Sequence, residues 1–375
     1  MAVKELVEVL HFMRSVEFWR MGVCWTLSLI MAYACLLAQR FFSPESKTYG
    51  RCSTMVETMK STVDRKPVCV ITGATSGLGA AAAADLARDG FYVVLAGRSS
   101  HLLSKVISKI RSQNKAADLK AFHLDLSSFG SILKFKAALQ QWLLDSDFHC
   151  SIQILINNAG ILATSYRCTS EGHDQMMGTN YIGAFTLTKV LQPLLEKSPV
   201  PSRIVNVSSF THRNVSGVRV DKETVSGMSF SKLECYPYSH IYEYSKLFLL
   251  LFTYELHRQF HIMRKPHQIS VIAVDPGVVK TNIMREIPSC LSETAFLALR
   301  VLGLLQSPEV GVSSIVDAAL SPPEVSGSYY FGGRGRTLKS SELSYDKNLA
   351  KELWKISCEL FLDVERQFED TSKQT

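Results

Sequence analysis

Tyr242 and Lys246 stand four residues apart, a spacing that puts a phenol and an ammonium on one face of a helix. A free phenol, with a pKa of about 10, is too weak an acid–base for neutral pH. One positive charge at about 4 Å, with an effective dielectric of about 20, is worth about 4 kcal/mol. At about 1.36 kcal/mol per unit, that could lower the phenol's pKa by up to about three units. Burial opposes ionisation, so a smaller downward shift is expected. A phenol tuned in this way can hand a proton to a substrate oxygen or take one from it. Tyr-x-x-x-Lys is also a common surface pair, so the assignment depends on what surrounds it. Tyr244 has no lysine four residues on and reads as packing. His173, His212 and His240 read as structural or solvent-facing.

A second group of residues suits phosphate binding. Thr72-Gly73-Ala74-Thr75-Ser76-Gly77-Leu78-Gly79 follows a short apolar run and opens an alanine-rich helix. Gly73 permits a tight turn, Gly77 lets the backbone approach a pyrophosphate, and Gly79 lets the helix pack closely on a sheet. The helix N-terminus then offers free N–H groups and a positive dipole end. Where a second strand ends, an acidic residue would hold the ribose 2′-hydroxyl of NAD(H). This chain has Gly97-Arg98-Ser99 there, and a guanidinium favours a 2′-phosphate. The cofactor expected from these residues is NADP(H), with NAD(H) second.

The elements that must carry these groups are legible as alternating periods. Short β-branched runs occur at 67–72, 91–96, 152–156, 203–207 and 269–274, with helical periods between them and a helix from about Ala80 to Arg88. That order predicts a doubly wound α/β fold, a single Rossmann domain with a parallel sheet, whose ligands bind past the carboxyl ends of the strands. The chain has 375 residues, 46% hydrophobic and 20% charged, which is ample for a core. Its net charge of +7 is modest and gathers on no basic, aromatic-interleaved stripe, so nucleic acid is not an expected partner. The nine cysteines lie scattered without Cys-x-x-Cys or zinc spacing, so neither a metal nor a disulfide framework is expected. Asn206 and Asn214 head glycosylation sequons, but the first ends a buried strand and reads as chance.

Residues 21–38 carry no charge, and with Phe41 and Phe42 the run is long enough to cross a bilayer. Trp19, Trp25 and Tyr33 are its expected interfacial residues. Basic residues on the two sides nearly balance, so orientation stays open; a buried or interfacial helix is the alternative. The expected organisation is an N-terminal flank at 1–20, a membrane anchor at 21–42, a linker at 43–65, the Rossmann domain at 66–345 and a helical tail at 346–375.

Taken together, the motifs resemble the short-chain dehydrogenase/reductase superfamily over about residues 66–345. The glycine turn, Asp125-Leu126, Asn157-Asn158-Ala159-Gly160, Asn180, Ser209, Tyr242-x-x-x-Lys246, and Pro276-Gly277 with Val279 and Thr281 stand in that family's order. The long interval between Ser209 and Tyr242 and the stretch at 353–360 are similar to its retinol-dehydrogenase-like branch. The resemblance implies a catalytic set of Asn180, Ser209, Tyr242 and Lys246. Tyr242 would be acid in reduction and base in oxidation, helped by the charge of oxidised nicotinamide. Lys246 would also hold the nicotinamide ribose, Ser209 the substrate oxygen, and Asn180 a water of a proton relay. It implies cofactor contacts from Gly73, Thr75, Ser76, Gly77, Leu78, Gly79, Arg98, Asp125, Leu126, Asn158, Ala159, Gly160, Tyr242, Lys246, Pro276, Gly277, Val279 and Thr281. Hydride transfer between NADP(H) and an alcohol or carbonyl of a hydrophobic small molecule follows: a retinoid, steroid, polyprenol or fatty compound. Residues 282–306, rich in leucine, would cover such a substrate or dip into a membrane, or else form an amphipathic core helix. The stretch 211–240 is the other expected specificity element. A single-pass protein of the endoplasmic reticulum, forming a homodimer, is the expected setting. The competing reading is a non-catalytic NADP(H)-sensing regulator or scaffold.

Overall fold

The computed structural model describes residues 9–10, 12–42, 48–52, 57, 66–146, 150–262 and 268–373. Its centre is a seven-stranded sheet. The strands are β1 (Val68–Thr72), β2 (Tyr92–Gly97), β3 (Leu119–His123), β4 (Ile154–Asn157), β5 (Ser202–Val207), β6 (Ile269–Asp275) and β9 (Tyr329–Phe331), in spatial order β3-β2-β1-β4-β5-β6-β9. All six pairings are parallel. Two two-residue strands, β7 (Val278–Val279) and β8 (Leu305–Gln306), pair beside it. The β-branched runs became strands buried on both faces: Val68 and Val70 join one core, Cys69 and Ile71 the other. The first core holds α3 (Phe129–Asp145), α4 (Gly183–Glu196) and α5 (Tyr238–Ile262). The second holds α1 (Gly77–Arg88), α2 (Ser100–Gln113) and α7 (Pro308–Ala319). The chain order reverses between β1 and β4, which opens a crevice at the carboxyl ends of those two strands.

Buried polar groups are locked into the frame. Arg203 on β5 is fully buried, and its guanidinium donates to Ser270 Oγ, Ala318 O and Ser321 O. Asn206 donates to Thr253 and accepts from Asn157, so the first sequon lies in the core, as expected of a chance match. All nine cysteines are free. The run 247–252 is core.

Three outlying pieces wrap this body. The N-terminal helix runs from Val16 to Gln39 and is apolar enough to cross a membrane. One face is packed on the body, with Leu29 and Ala32 fully buried against Phe210, Leu250 and Phe331. Most of the stretch expected as a linker lies outside the described residues. Within it, residues 48–52 are tied down: Tyr49 N donates to Gly335 O, Cys52 N to Leu320 O, and Arg51 pairs with Asp317. The C-terminal helix α8 (Lys347–Lys373) buries Ala350, Leu353 and Leu360. Trp354 stacks on Phe252 and meets Phe185 edge-on, and Tyr181 bonds Ser357 at 2.6 Å.

Candidate active site

The glycine turn is shaped by contacts that leave no room for side chains. Gly73 has φ +66, and a Cβ there would come within 2.8 Å of Ala159 Cα. A Cβ on Gly79 would lie 2.5 Å from Asn158 Nδ2 and 2.6 Å from Gly73 O. Asn158 fixes this turn by donating to Thr72 O at 2.9 Å, while Thr72 Oγ1 accepts the N–H groups of Asn158 and Ala159 at 3.0 Å. Ser76 stands at the N-cap of α1 without a side-chain bond to its own helix, which leaves the first N–H groups free. Thr281 comes up from the far side, its methyl 3.4 Å from where a Cβ on Gly77 would be. A bare-backbone cradle at a helix N-terminus, with hydroxyls around it, fits the pyrophosphate of a nicotinamide dinucleotide.

The other expected cofactor residues border the same crevice. Arg98 is exposed at the end of β2, and among the described residues it has no ion-pair or hydrogen-bond partner. The Asp125 carboxylate is engaged by Ser127, which donates both N–H and O–H to it. Leu126 is buried in the core, close to Gly183. Gly160 follows β4, and Pro276 and Gly277 follow β6, where Gly277 N donates to Asp275 at 2.8 Å. Val279 and Leu78 both press on Gly311 of α7.

Two of the four expected catalytic residues, Asn180 and Lys246, meet at Gly160, and Tyr242 lies beside Lys246. A Cβ on Gly160 would stand 3.5 Å from both Asn180 Oδ1 and Lys246 Nζ. Asn180 sits in a π-helical turn, Gly178–Ile182, a local widening common at functional sites. Its amide clasps the loop after β4, accepting from Ile161 N at 2.8 Å and donating to Ile161 O at 2.9 Å. One lone pair of its oxygen stays open to a further donor. Lys246 Nζ donates to Val207 O at 3.0 Å and lies 5.6 Å from the Tyr242 ring centre. Ser209 follows β5, caps the next turn through Thr211 N, and its hydroxyl acts on the Tyr242 phenol to lower its pKa.

The electrostatics correct one expectation. Tyr242 is pushed up from the ordinary phenol range, by burial first and then by Asp275, with the Ser209 hydrogen bond opposing. Lys246 is pushed down to about 8 by burial, with Asp275 opposing. Asp275 is pushed up to about 6 by burial, against its bonds to Gly277 N–H and the Tyr329 hydroxyl. Desolvation and the carboxylate therefore outweigh the lysine in the protein alone. A neutral phenol is the proton donor that carbonyl reduction needs. Oxidised nicotinamide, when bound, brings the positive charge that the reverse direction needs.

Asp275 was missed in the sequence, and so was the N-terminal helix as part of this site. Trp25, expected at a membrane interface, instead packs at a tilt on Tyr242 with ring centres 5.4 Å apart and donates its indole N–H to Glu243 at 2.7 Å. Tyr33 turns inward as well, accepting from Gln306 and packing on Phe331. Trp19 remains exposed. The histidines behave as expected: His212 is buried between Ser209 O and Ser341 N, His173 is buried, and His240 pairs with Glu17. Tyr244 packs on Phe248. The helix α6 (Ser289–Val301) buries only Ser292 and Phe296 and exposes Leu297 and Val301, so it is not a core helix.

Residues 67–219 match the family described as short chain dehydrogenase. The chain is 33% identical to human (Homo sapiens) polyprenol dehydrogenase over 305 residues, covering 79% of this chain and 86% of that one. It is 32% identical to human retinol dehydrogenase 13, covering 84% and 88%. The fold matches that of the Pseudomonas aeruginosa RhlG/NADP active-site complex with a TM-score of 0.56 at 20% identity, over 72% of this chain and 96% of that one. With the glycine cradle and the Asn-Ser-Tyr-Lys set assembled on one crevice, the chain belongs to the short-chain dehydrogenase/reductase family, in its retinol-dehydrogenase-like branch, and is an oxidoreductase acting on CH–OH groups.

Proposed function

We propose that this protein uses NADP(H) to interconvert an alcohol and a carbonyl on a hydrophobic small molecule of retinoid, steroid, polyprenol or fatty type, while held on the endoplasmic reticulum membrane by its N-terminal helix. The observation that carries this reading is that Asn180 and Lys246 meet at Gly160, beside the phosphate cradle, with the Tyr242 ring 5.6 Å from Lys246 Nζ and the Ser209 hydroxyl acting on the Tyr242 phenol. The relatives named for polyprenol and retinol, and the exposed apolar faces of the N-terminal helix and α6, support the substrate class and the membrane. The lone Arg98 supports NADP(H) over NAD(H), since an unpaired guanidinium is free for a 2′-phosphate.

In this reading the Tyr242 hydroxyl gives its proton to the carbonyl oxygen, Ser209 orients that oxygen, and Lys246 holds the ribose and the local positive charge. The test is turnover of a panel comprising retinal, a 3-ketosteroid, a polyprenal and a long-chain fatty aldehyde with NADPH, by full-length protein in microsomes. Tyr242→Phe should lower kcat by about a hundredfold or more with NADPH still bound. Undiminished turnover in that variant, or none by the wild type on any panel member, would sink the reading, and a non-catalytic sensor would then be favoured. For the cofactor, Arg98→Asp should reverse the preference for NADPH over NADH; an unchanged ratio of kcat/KM would remove Arg98 from that role. A homodimer belongs to the same proposal, and light scattering of the solubilised protein tests it.

A further inference from the structure

We propose that the N-terminal helix is a wall of the catalytic site, in which Arg20 and Trp25 are positioning residues that set Tyr242 through the buried carboxylate of Glu243. The inference rests on Tyr242 being the acid–base group. Glu243 follows Tyr242 on the first turns of α5 and is completely buried. A carboxylate there must be fully partnered or it costs several kcal/mol. Among the described residues, every hydrogen-bond partner of its carboxylate comes from the N-terminal helix. Arg20 Nε reaches both carboxylate oxygens at 3.0 Å, Arg20 Nη2 reaches Oε2 at 2.6 Å, and Trp25 Nε1 reaches Oε1 at 2.7 Å.

The local backbone explains how both reach one carboxylate. Arg20–Trp25 is a π-helical turn, and its wider turn brings residues five apart closer to the same side. The same helix grips the start of α5 once more, since Glu17 accepts from Ser239 N at 2.9 Å and from the Ser239 hydroxyl. It also grips the loop after Ser209: Arg20 Nη2 donates to Asn214 O and Ser28 Oγ to Asn214 Oδ1. Trp25 then packs its ring at a tilt against the Tyr242 ring. Both flanks of the Ser209–Tyr242 pair are thereby fixed by a segment expected first to be a membrane anchor. Shifts of about 1 Å at a reacting group can cost a hundredfold in rate.

The test uses full-length protein in microsomes with whichever panel member turns over fastest. Arg20→Ala and Trp25→Ala should each lower kcat by about tenfold or more, with KM changed less than about threefold and NADPH binding intact by fluorescence. The pH limb of kcat should also move, because the surroundings of the phenol change. Trp25→Phe, which keeps the ring, should fall between Trp25→Ala and wild type. Arg20→Ala with Glu243→Gln should recover most of the activity lost by Arg20→Ala, because the stranded charge is gone. Wild-type kcat and pH profile in Arg20→Ala, or a loss that the double variant does not recover, would overturn the proposal. Either result leaves the acid–base reading standing provided Tyr242→Phe is inactive.

Discussion

At Tyr242 the phenol feels the charge of a buried carboxylate, Asp275, which raises its pKa against the lowering effect of the Ser209 hydroxyl. Asp275 raises the phenol and also keeps Lys246 from falling further. Its own carboxyl is pushed up to about 6 and is held by Gly277 N–H and the Tyr329 hydroxyl. Asparagine is close in shape and can keep both bonds, so Asp275→Asn removes charge with little change of fit. Without that charge the phenol loses a cause that raises its pKa, and Lys246 loses one that raises its own. Both titrations should then occur at lower pH, so the pH profile of kcat/KM for alcohol oxidation should move to lower pH as a whole. A profile unmoved in the variant would mean that Asp275 is merely a brace for the 275–277 turn. Tyr242 and Lys246 were legible because their spacing carries the chemistry. Asp275 was not, because its meaning comes from burial on an interior strand beside Lys246, and neighbours in sequence cannot show that.

The glycine turn illustrates how far an element can be read before its contacts are known. Three glycines between a strand and a helix announce a phosphate cradle, but the reason for each is partly different from the expected one. Gly79 was expected to ease packing of helix on sheet; its Cβ would instead strike Asn158 and Gly73 O. Gly77 has φ +55 and ordinary clearance to Thr281, so alanine there meets backbone strain rather than collision. Gly77→Ala should cost about 1–2 kcal/mol. Gly79→Ala should cost more stability, since Asn158 must leave the turn it holds. Thermal unfolding of the two variants side by side checks the order, and equal losses would contradict it. NADPH affinity should fall in both. The interior strands were legible as apolar runs because both faces are buried. β3 and β9 were not: β3 is an edge with a mixed burial pattern, and β9 has only three residues. The N-terminal helix was legible as an apolar helix, but its docked face was hidden, since Arg20 and Trp25 at the end of an apolar run read equally well as flanking charge and interfacial aromatic.

On the scale of the whole molecule, the docked helix bears on how the protein meets a membrane. Its inner face is committed to the body through Arg20, Trp25, Ser28, Leu29, Ala32 and Tyr33. Its outer face shows Val16, Trp19, Val23, Leu27, Ile30, Met31, Leu37 and Phe41, and the exposed Leu297, Val301 and Leu302 lie at the end of α6. A helix crossing the bilayer would have to leave the body and strand Glu243 in the core without Arg20 or Trp25. Losing one partner of a buried ion pair costs about 3–5 kcal/mol. Turning the apolar outer face into the membrane plane keeps every one of those contacts and still buries it in lipid. It also brings Tyr242, against which Trp25 packs, close to the membrane surface. An in-plane helix leaves both chain termini on the side of the membrane that holds the body, whereas a single-pass span separates them. Protease added to sealed microsomes should therefore remove epitope tags at the N- and C-termini together, or spare both together. Removal of one tag with full protection of the other would establish a crossing helix, and with it an active site that must form without Arg20 and Trp25.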